Sequence, residues 1–154
     1  MLVSMQIEIE RACSRLILLY AQAIDEGNVE LAVGCYTEDA ARRIGNRSAH
    51  GREQIQDTLD AAMRNRVSCH VISNIVIDVL SETRAVGTSY LTLWRAPGKI
   101  VLGRPLMRRA PSGISRQQDE FVLTSAGWKF AARNSDQIFS AFTEGQLPPS
   151  GSLV

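Results

Sequence analysis

The apolar residues of this chain change their spacing at Asn65, and that change restricts the folds open to it. Before it they recur at the three- and four-residue intervals of a helix; after it β-branched residues alternate with polar ones, the period of a strand. Ile9, Cys13, Leu16, Tyr20 and Ala23 share one stripe over about residues 5–25, and Ala12, Leu19 and Ile24 widen it. Gly27 is the natural stop, because a helix commonly ends on a residue that accepts a left-handed conformation. Asn28 can then cap a short second helix through Val29, Leu31, Ala32 and Cys35. A loop or short strand over about residues 37–44 follows. Gly51 opens a third helix with Ile55, Leu59 and Ala62 or Met63 on one face.

The second half reads as strands over about residues 67–80, 85–95, 116–123 and 128–142. Ser81-Glu82-Thr83 and Thr124-Ser125-Ala126-Gly127 supply turns, and Ala96-Pro97-Gly98 breaks the second strand. Pro105, Pro111 and Gly113 make the stretch up to about Ser115 a long irregular connection. Helices first and an antiparallel meander afterwards predict an α+β fold, with the helices against one face of a curved antiparallel sheet. At 154 residues, 45% of them apolar, the chain suits one domain, expected over residues 1–145 with a flexible or docked tail at 146–154.

Charge and motif content exclude several classes. The formal net charge is +1, so no overall field favours nucleic acid or a membrane surface. Residues 84–133 hold nine basic side chains against two acidic ones; a solvated arginine-rich face is the ordinary explanation and an anionic ligand the alternative. The first ten residues carry Glu8 and Glu10 and lack a secretory signal pattern, and no run approaches the roughly 20 apolar residues that span a bilayer. Cys13, Cys35 and Cys69 are odd in number and scattered, which fits reduced thiols in a cytoplasmic protein. With no phosphate-binding glycine loop, paired metal-spaced histidines or Gly-x-Ser-x-Gly elbow, a reaction without cofactor or metal is the simplest enzymatic expectation.

Four blocks resemble SnoaL-like domains of the nuclear transport factor 2-like superfamily: residues 19–28 (LYAQAIDEGN), 36–40 (YTEDA), 70–75 (HVISNI) and 127–133 (GWKFAAR). Each is weak alone, but their order and spacing cover about residues 9–142. The resemblance implies a cone-shaped α+β domain with an internal pocket. The closest groups in likeness are scytalone dehydratase-like dehydratases and hexachlorocyclohexane dehydrochlorinase-like lyases. Polyketide cyclases and ketosteroid isomerases are more distant, and the non-catalytic β subunits of ring-hydroxylating dioxygenases are also similar. Because one fold hosts many chemistries, function has to be argued from the site.

By this resemblance His70 aligns with the catalytic base and Asp25 with the aspartate that pairs with it. Alone, Asp25 is equally an exposed helix-end residue, and a carboxylate there faces the unfavourable end of the helix dipole. A single strand histidine is more often structural; period two places His70 with Ser68, Ile72 and Asn74. An imidazole held by a carboxylate can take a proton next to a carbonyl or leaving group, the first step of dehydration, isomerisation and cyclisation alike. The strand at residues 87–95 lacks the second histidine of the dehydratases, leaving Tyr90, Trp94 or Arg95 as donors. Arg43 (with Arg42) falls where relatives place the pocket mouth, or else on the surface. Gln117 and Gln118 stand where a tyrosine or histidine is common. Tyr20, Trp128 and Phe130 read as core (the last two also as an oligomer contact), Asp119 as a structural partner of Arg133 or Arg95, and His50 as exposed.

The expectation is therefore a cofactor-independent lyase or isomerase with Asp25 and His70 as catalytic dyad and Tyr90, Trp94, Arg43 and Gln118 as substrate-binding residues. Its ligand would be a hydrophobic cyclic or aromatic small molecule, and the resemblance implies a homodimer or homotrimer. The alternative is a non-catalytic binding module or a β-subunit-like partner of a dioxygenase.

Overall fold

The computed structural model describes residues 2–64, 66–98, 100–101, 104–105 and 110–140; the expected tail at 146–154 and the last residues of the expected domain lie outside them. Three helices, α1 (Val3–Asp25), α2 (Val29–Gly34) and α3 (Gly51–Met63), accompany strands β1 (Tyr36–Ile44), β2 (Arg47–His50), β3 (Arg66–Ser81), β4 (Arg84–Pro97), β7 (Gly113–Thr124) and β8 (Gly127–Ser140). The irregular connection carries a two-stranded ribbon, β5 (Ile100–Val101) with β6 (Arg104–Pro105).

The six-stranded sheet has the order β2-β1-β8-β7-β4-β3. The meander β3-β4-β7-β8 is antiparallel as expected, but β1 pairs with β8 in parallel, so the sheet is mixed. The stretch at 37–44, too polar to show a clear period, is a full strand because β8 and β2 both pair with it. The α+β class expected from the sequence holds.

The end of α1 shows how local chemistry sets position. Gly27 has φ +73° and donates to the Ile24 carbonyl at 3.2 Å, while Asn28 donates to the Ala23 carbonyl at 2.8 Å. These two bonds form a Schellman stop, which closes the last carbonyls of the helix and makes Asp25 its final residue. Asn28 turns at once into the cap of α2, its Oδ1 accepting the Leu31 N–H at 3.0 Å.

Ile9, Cys13, Leu16, Ile17, Tyr20, Ala23 and Ile24 are buried along α1, and with Tyr36, Phe121 and Phe130 from the sheet they form the core. Tyr20 meets Tyr36 and Phe130 edge-on, at centroid distances of 5.6 and 5.8 Å. Removing a ring such as Phe130, which is wholly buried, costs about 3–5 kcal/mol. Cys13 sits in this core, where burial pushes its thiol up to about 12, a packing residue rather than a nucleophile. Trp128 packs partly buried against the same cluster.

β3 carries a bulge between Ser73 and Val76, with Asn74 at φ +51°. The bulge swaps the faces of the strand. Ser68, His70 and Ile72 face inward before it, and Ile75, Ile77 and Val79 after it.

Candidate active site

β3 is an edge strand of the sheet and α1 packs along it, bringing the last helical residue beside His70. Asp25 Oδ1 lies 2.5 Å from His70 Nδ1, and Asp25 Oδ2 accepts the backbone N–H of His70 at 2.8 Å. Ser68 Oγ donates to Oδ1 at 3.1 Å. Three donors thus converge on one carboxylate at the negative end of a helix dipole, where it would otherwise be disfavoured. Burial by itself would raise the Asp25 carboxyl above its ordinary 3.8; the bonds from the ring and backbone of His70, with those of its charge and Ser68, outweigh burial and hold the group below that value. A carboxylate can only accept, so Nδ1 bears the proton and Nε2 is the basic nitrogen.

The His70 side chain, 11% exposed, lines a cavity of about 120 Å³. That is similar to the roughly 150 Å³ cavity that admits benzene, so one six-membered ring is the natural occupant. Its apolar wall comes from Ile24, Leu59, Met63, Ile72, Leu91 and Leu93. Its polar wall holds Tyr20, Gln117, Ser115 and Ser135 together with arginines 42, 43, 95 and 133. Gln117 Nε2 donates to Ser135 Oγ at 2.9 Å. Among the described residues no group of three or more His, Cys, Asp or Glu is arranged to hold a metal ion.

The sequence-derived site residues divide cleanly. Asp25 and His70 come together, His70 in the cavity wall and Asp25 behind it. Arg43 also lines the cavity, donating to Asp136 at 2.7 Å and to the Gly45 carbonyl at 3.0 Å. Tyr90, Trp94 and Gln118 are corrected: none lines the cavity. The inward residues of β4 are Leu91, Leu93 and Arg95, so Tyr90 and Trp94, at the opposite parity, lie on the outer face, with Tyr90 38% exposed. On β7 Gln117, Asp119 and Phe121 alternate inward with exposed residues between them, which leaves Gln118 exposed.

Other expectations resolve with them. Tyr20 is both core and cavity wall. Asp119 meets Arg133, Nε to Oδ1 at 3.3 Å, with neither side chain more than 6% exposed. The Arg133 guanidinium carbon lies over the Tyr20 and Phe130 rings, at 4.7 and 4.6 Å from their centroids. His50 ends β2 and is exposed. Sequence reasoning missed Ser68 as a donor to Asp25, Gln117 as the inward glutamine, and the direction of Arg95. The signal for Arg95 was the register of the β3–β4 hairpin, in which Ser68 stands opposite Arg95 and His70 opposite Leu93.

An open mixed sheet with helices packed against one face is the architecture of nuclear transport factor 2-like proteins with a cystatin-like fold. The chain belongs to the SnoaL-like domain family, whose model matches residues 5–134. No curated protein matches it. Among solved structures it is similar to a candidate scytalone dehydratase from Novosphingobium aromaticivorans, with 24% identity, TM-score 0.77 and coverage of 97% of this chain and 98% of that one. A nuclear transport factor 2-like protein with a cystatin-like fold from the same organism has 20% identity, TM-score 0.71 and coverage of 92% and 88%. LinA has 16% identity, TM-score 0.74 and coverage of 94% and 97%. At these identities the likeness is one of fold. No described helix is long and apolar enough to cross a membrane.

Proposed function

We propose that this SnoaL-like chain is a cofactor-independent lyase or isomerase in which His70 Nε2 removes a proton from a ring-sized molecule held in the cavity. The observation that carries the reading is the 2.5 Å contact between His70 Nδ1 and Asp25, formed with the imidazole in a largely apolar hollow. Asp25 fixes the tautomer and balances the imidazolium that forms on proton transfer. A structural neighbour named as a candidate scytalone dehydratase accords with this chemistry. Dehydration, isomerisation and cyclisation share this first step, so the dyad is common to all three. A ring-sized hollow walled in part by His70 counts against the dioxygenase-partner reading, which expects that space to be small or filled with side chains.

The test is proton exchange, which precedes any of the three outcomes. A panel of cyclic β-hydroxy ketones, enones and halides is incubated with the protein in D2O and followed by NMR. Exchange or elimination should occur for some member and should fall about a hundred- to ten-thousand-fold in His70→Ala, the usual worth of a positioned base. Turnover that survives His70→Ala refutes the dyad, and failure of the whole panel to exchange refutes proton abstraction from this class. Self-assembly belongs to the same reading: Val67, Val71, Tyr90 and Phe139 are exposed apolar residues of the strands, an area that suits a homodimer or homotrimer. Light scattering at micromolar concentration should give the mass of two or three chains; a monomer would refute it.

A further inference from the structure

The arginines of the cavity wall are not equivalent. Arg43 is neutralised by Asp136 and Arg133 by Asp119. Arg42 meets hydroxyls rather than a carboxylate: its Nη1 donates to Thr58 Oγ1 at 3.1 Å, and it lies beside the Tyr20 and Tyr36 hydroxyls. Arg95 has no carboxylate within salt-bridge distance among the described residues, and its buried Nε has no hydrogen-bond partner. Asp25, whose charge attracts it, is already engaged by three donors from Ser68 and His70. Burial, then repulsion from Arg66 and Arg42, pulls the Arg95 guanidinium below its ordinary range. Arg133 Nη1 is a further buried donor without a partner. A guanidinium removed from water with unused donors is costly unless an anion meets it. Such a group persists most economically where an anion is to bind.

Deepening the reading above and resting on it, we infer that Arg95, flanked by Arg42, is the receptor for a carboxylate on the substrate, so that the molecule processed is a small cyclic or aromatic acid. The fork of guanidinium donors matches the two oxygens of a carboxylate. Arg95 and His70 share one wall, since the facing pairs Ser68–Arg95 and His70–Leu93 are consecutive on the inner face of the hairpin. A carboxylate on Arg95 therefore leaves the ring of the same molecule toward His70. The excess of basic residues in the strand region finds part of its reason here: Arg95 and Arg133 point into the hollow instead of decorating a solvated face.

The experiment uses benzoate and the isosteric, uncharged benzamide, titrated by calorimetry against the intact wild-type chain, His70→Ala and Arg95→Met. Wild type and His70→Ala should both bind benzoate, and should bind benzamide about tenfold to a hundredfold more weakly, the range for hydrogen bonds to charged groups. Arg95→Met should lose the preference for benzoate. Equal affinity for the two probes in wild type overturns the inference without any variant, as does benzoate failing to bind or an unchanged preference in Arg95→Met. The catalytic reading fails separately. Benzoate selectivity without any His70-dependent exchange removes the chemistry and keeps the receptor, whereas His70-dependent exchange of neutral compounds without selectivity does the reverse.

Discussion

Asp25 holds His70 twice, by the imidazole at 2.5 Å and by the backbone N–H at 2.8 Å, so one carboxylate fixes both the ring and the strand that bears it. Because β3 is the sheet's edge, that backbone donor would otherwise lack a partner on its outer side. If the proposed chemistry runs through it, removal of the pair should register in both stability and turnover.

Asp25→Ala should lower turnover of an exchangeable substrate at least about a hundredfold, because the imidazole loses the group that selects its tautomer. It should also destabilise the fold by about 1–3 kcal/mol, since a backbone N–H and a hydroxyl lose their acceptor. Chemical denaturation and exchange kinetics read the two effects; an unchanged midpoint would mean that solvent replaces the carboxylate without cost.

Acid should erase part of this stability. The folded Asp25 carboxyl lies below its ordinary 3.8, so its contribution is complete above that value and is lost as pH falls through the folded one. The difference in denaturation midpoint between wild type and Asp25→Asn should be constant near neutrality and shrink below about pH 4. A gap that widens in acid would contradict the sign.

Asp119 should behave oppositely. Burial raises its carboxyl to about 6, against the pull of Arg133. The folded protein then binds a proton that the unfolded chain releases between about pH 4 and 6, so this group's contribution declines as pH rises through that window. Over the whole window the change is on the order of 3 kcal/mol. Subtracting the Asp119→Asn stability curve from that of wild type should leave a downward slope between those pH values; a flat difference would show that Arg133 fully compensates the burial.

Gly87 should not tolerate a side chain. A Cβ there would lie 2.6 Å from Ile77 Cδ1, 3.1 Å from Phe121 Cε2 and 3.2 Å from the Val76 carbonyl. Two of these neighbours are packed core groups and one is backbone, so Gly87→Ala should destabilise by about 1–3 kcal/mol, the usual cost of overpacking. Thermal unfolding checks it; a variant as stable as wild type would show that the sheet yields at this point.

Much of the frame was legible. Asp25 sits where it does because Gly27 and Asn28 announce the stop and the next cap; alternation placed Ser68, His70 and Ile72 on one face correctly, but Asn74, expected there too, leaves that face at the bulge. The parallel partnership of β1 with β8 was not legible, because the residues from Thr37 to Ile44 carry four charges and only one large apolar side chain. The inner face of β4 was missed for a different reason. Two register shifts in β3, at Ser73/Val76 and Val79/Ser81, each reverse the facing of the strand and cancel only when both are counted, and neither is marked in the sequence, so Tyr90 and Leu91 stayed undecided. Arg95 was considered as a donor, but its inward direction depended on that same register. Nothing local marks the lack of a counter-ion, since that is a property of the assembled wall.

The bulge at Asn74 divides the labour of one long strand. Toward Arg66 it presents Ser68 and His70 to Asp25 and the cavity; toward Ser81 it packs Ile77 and Val79 against the core. With the phase reset between them, the facing of His70 is set on the Arg66 side of the bulge, and the core packing of Ile77 and Val79 is set on the other.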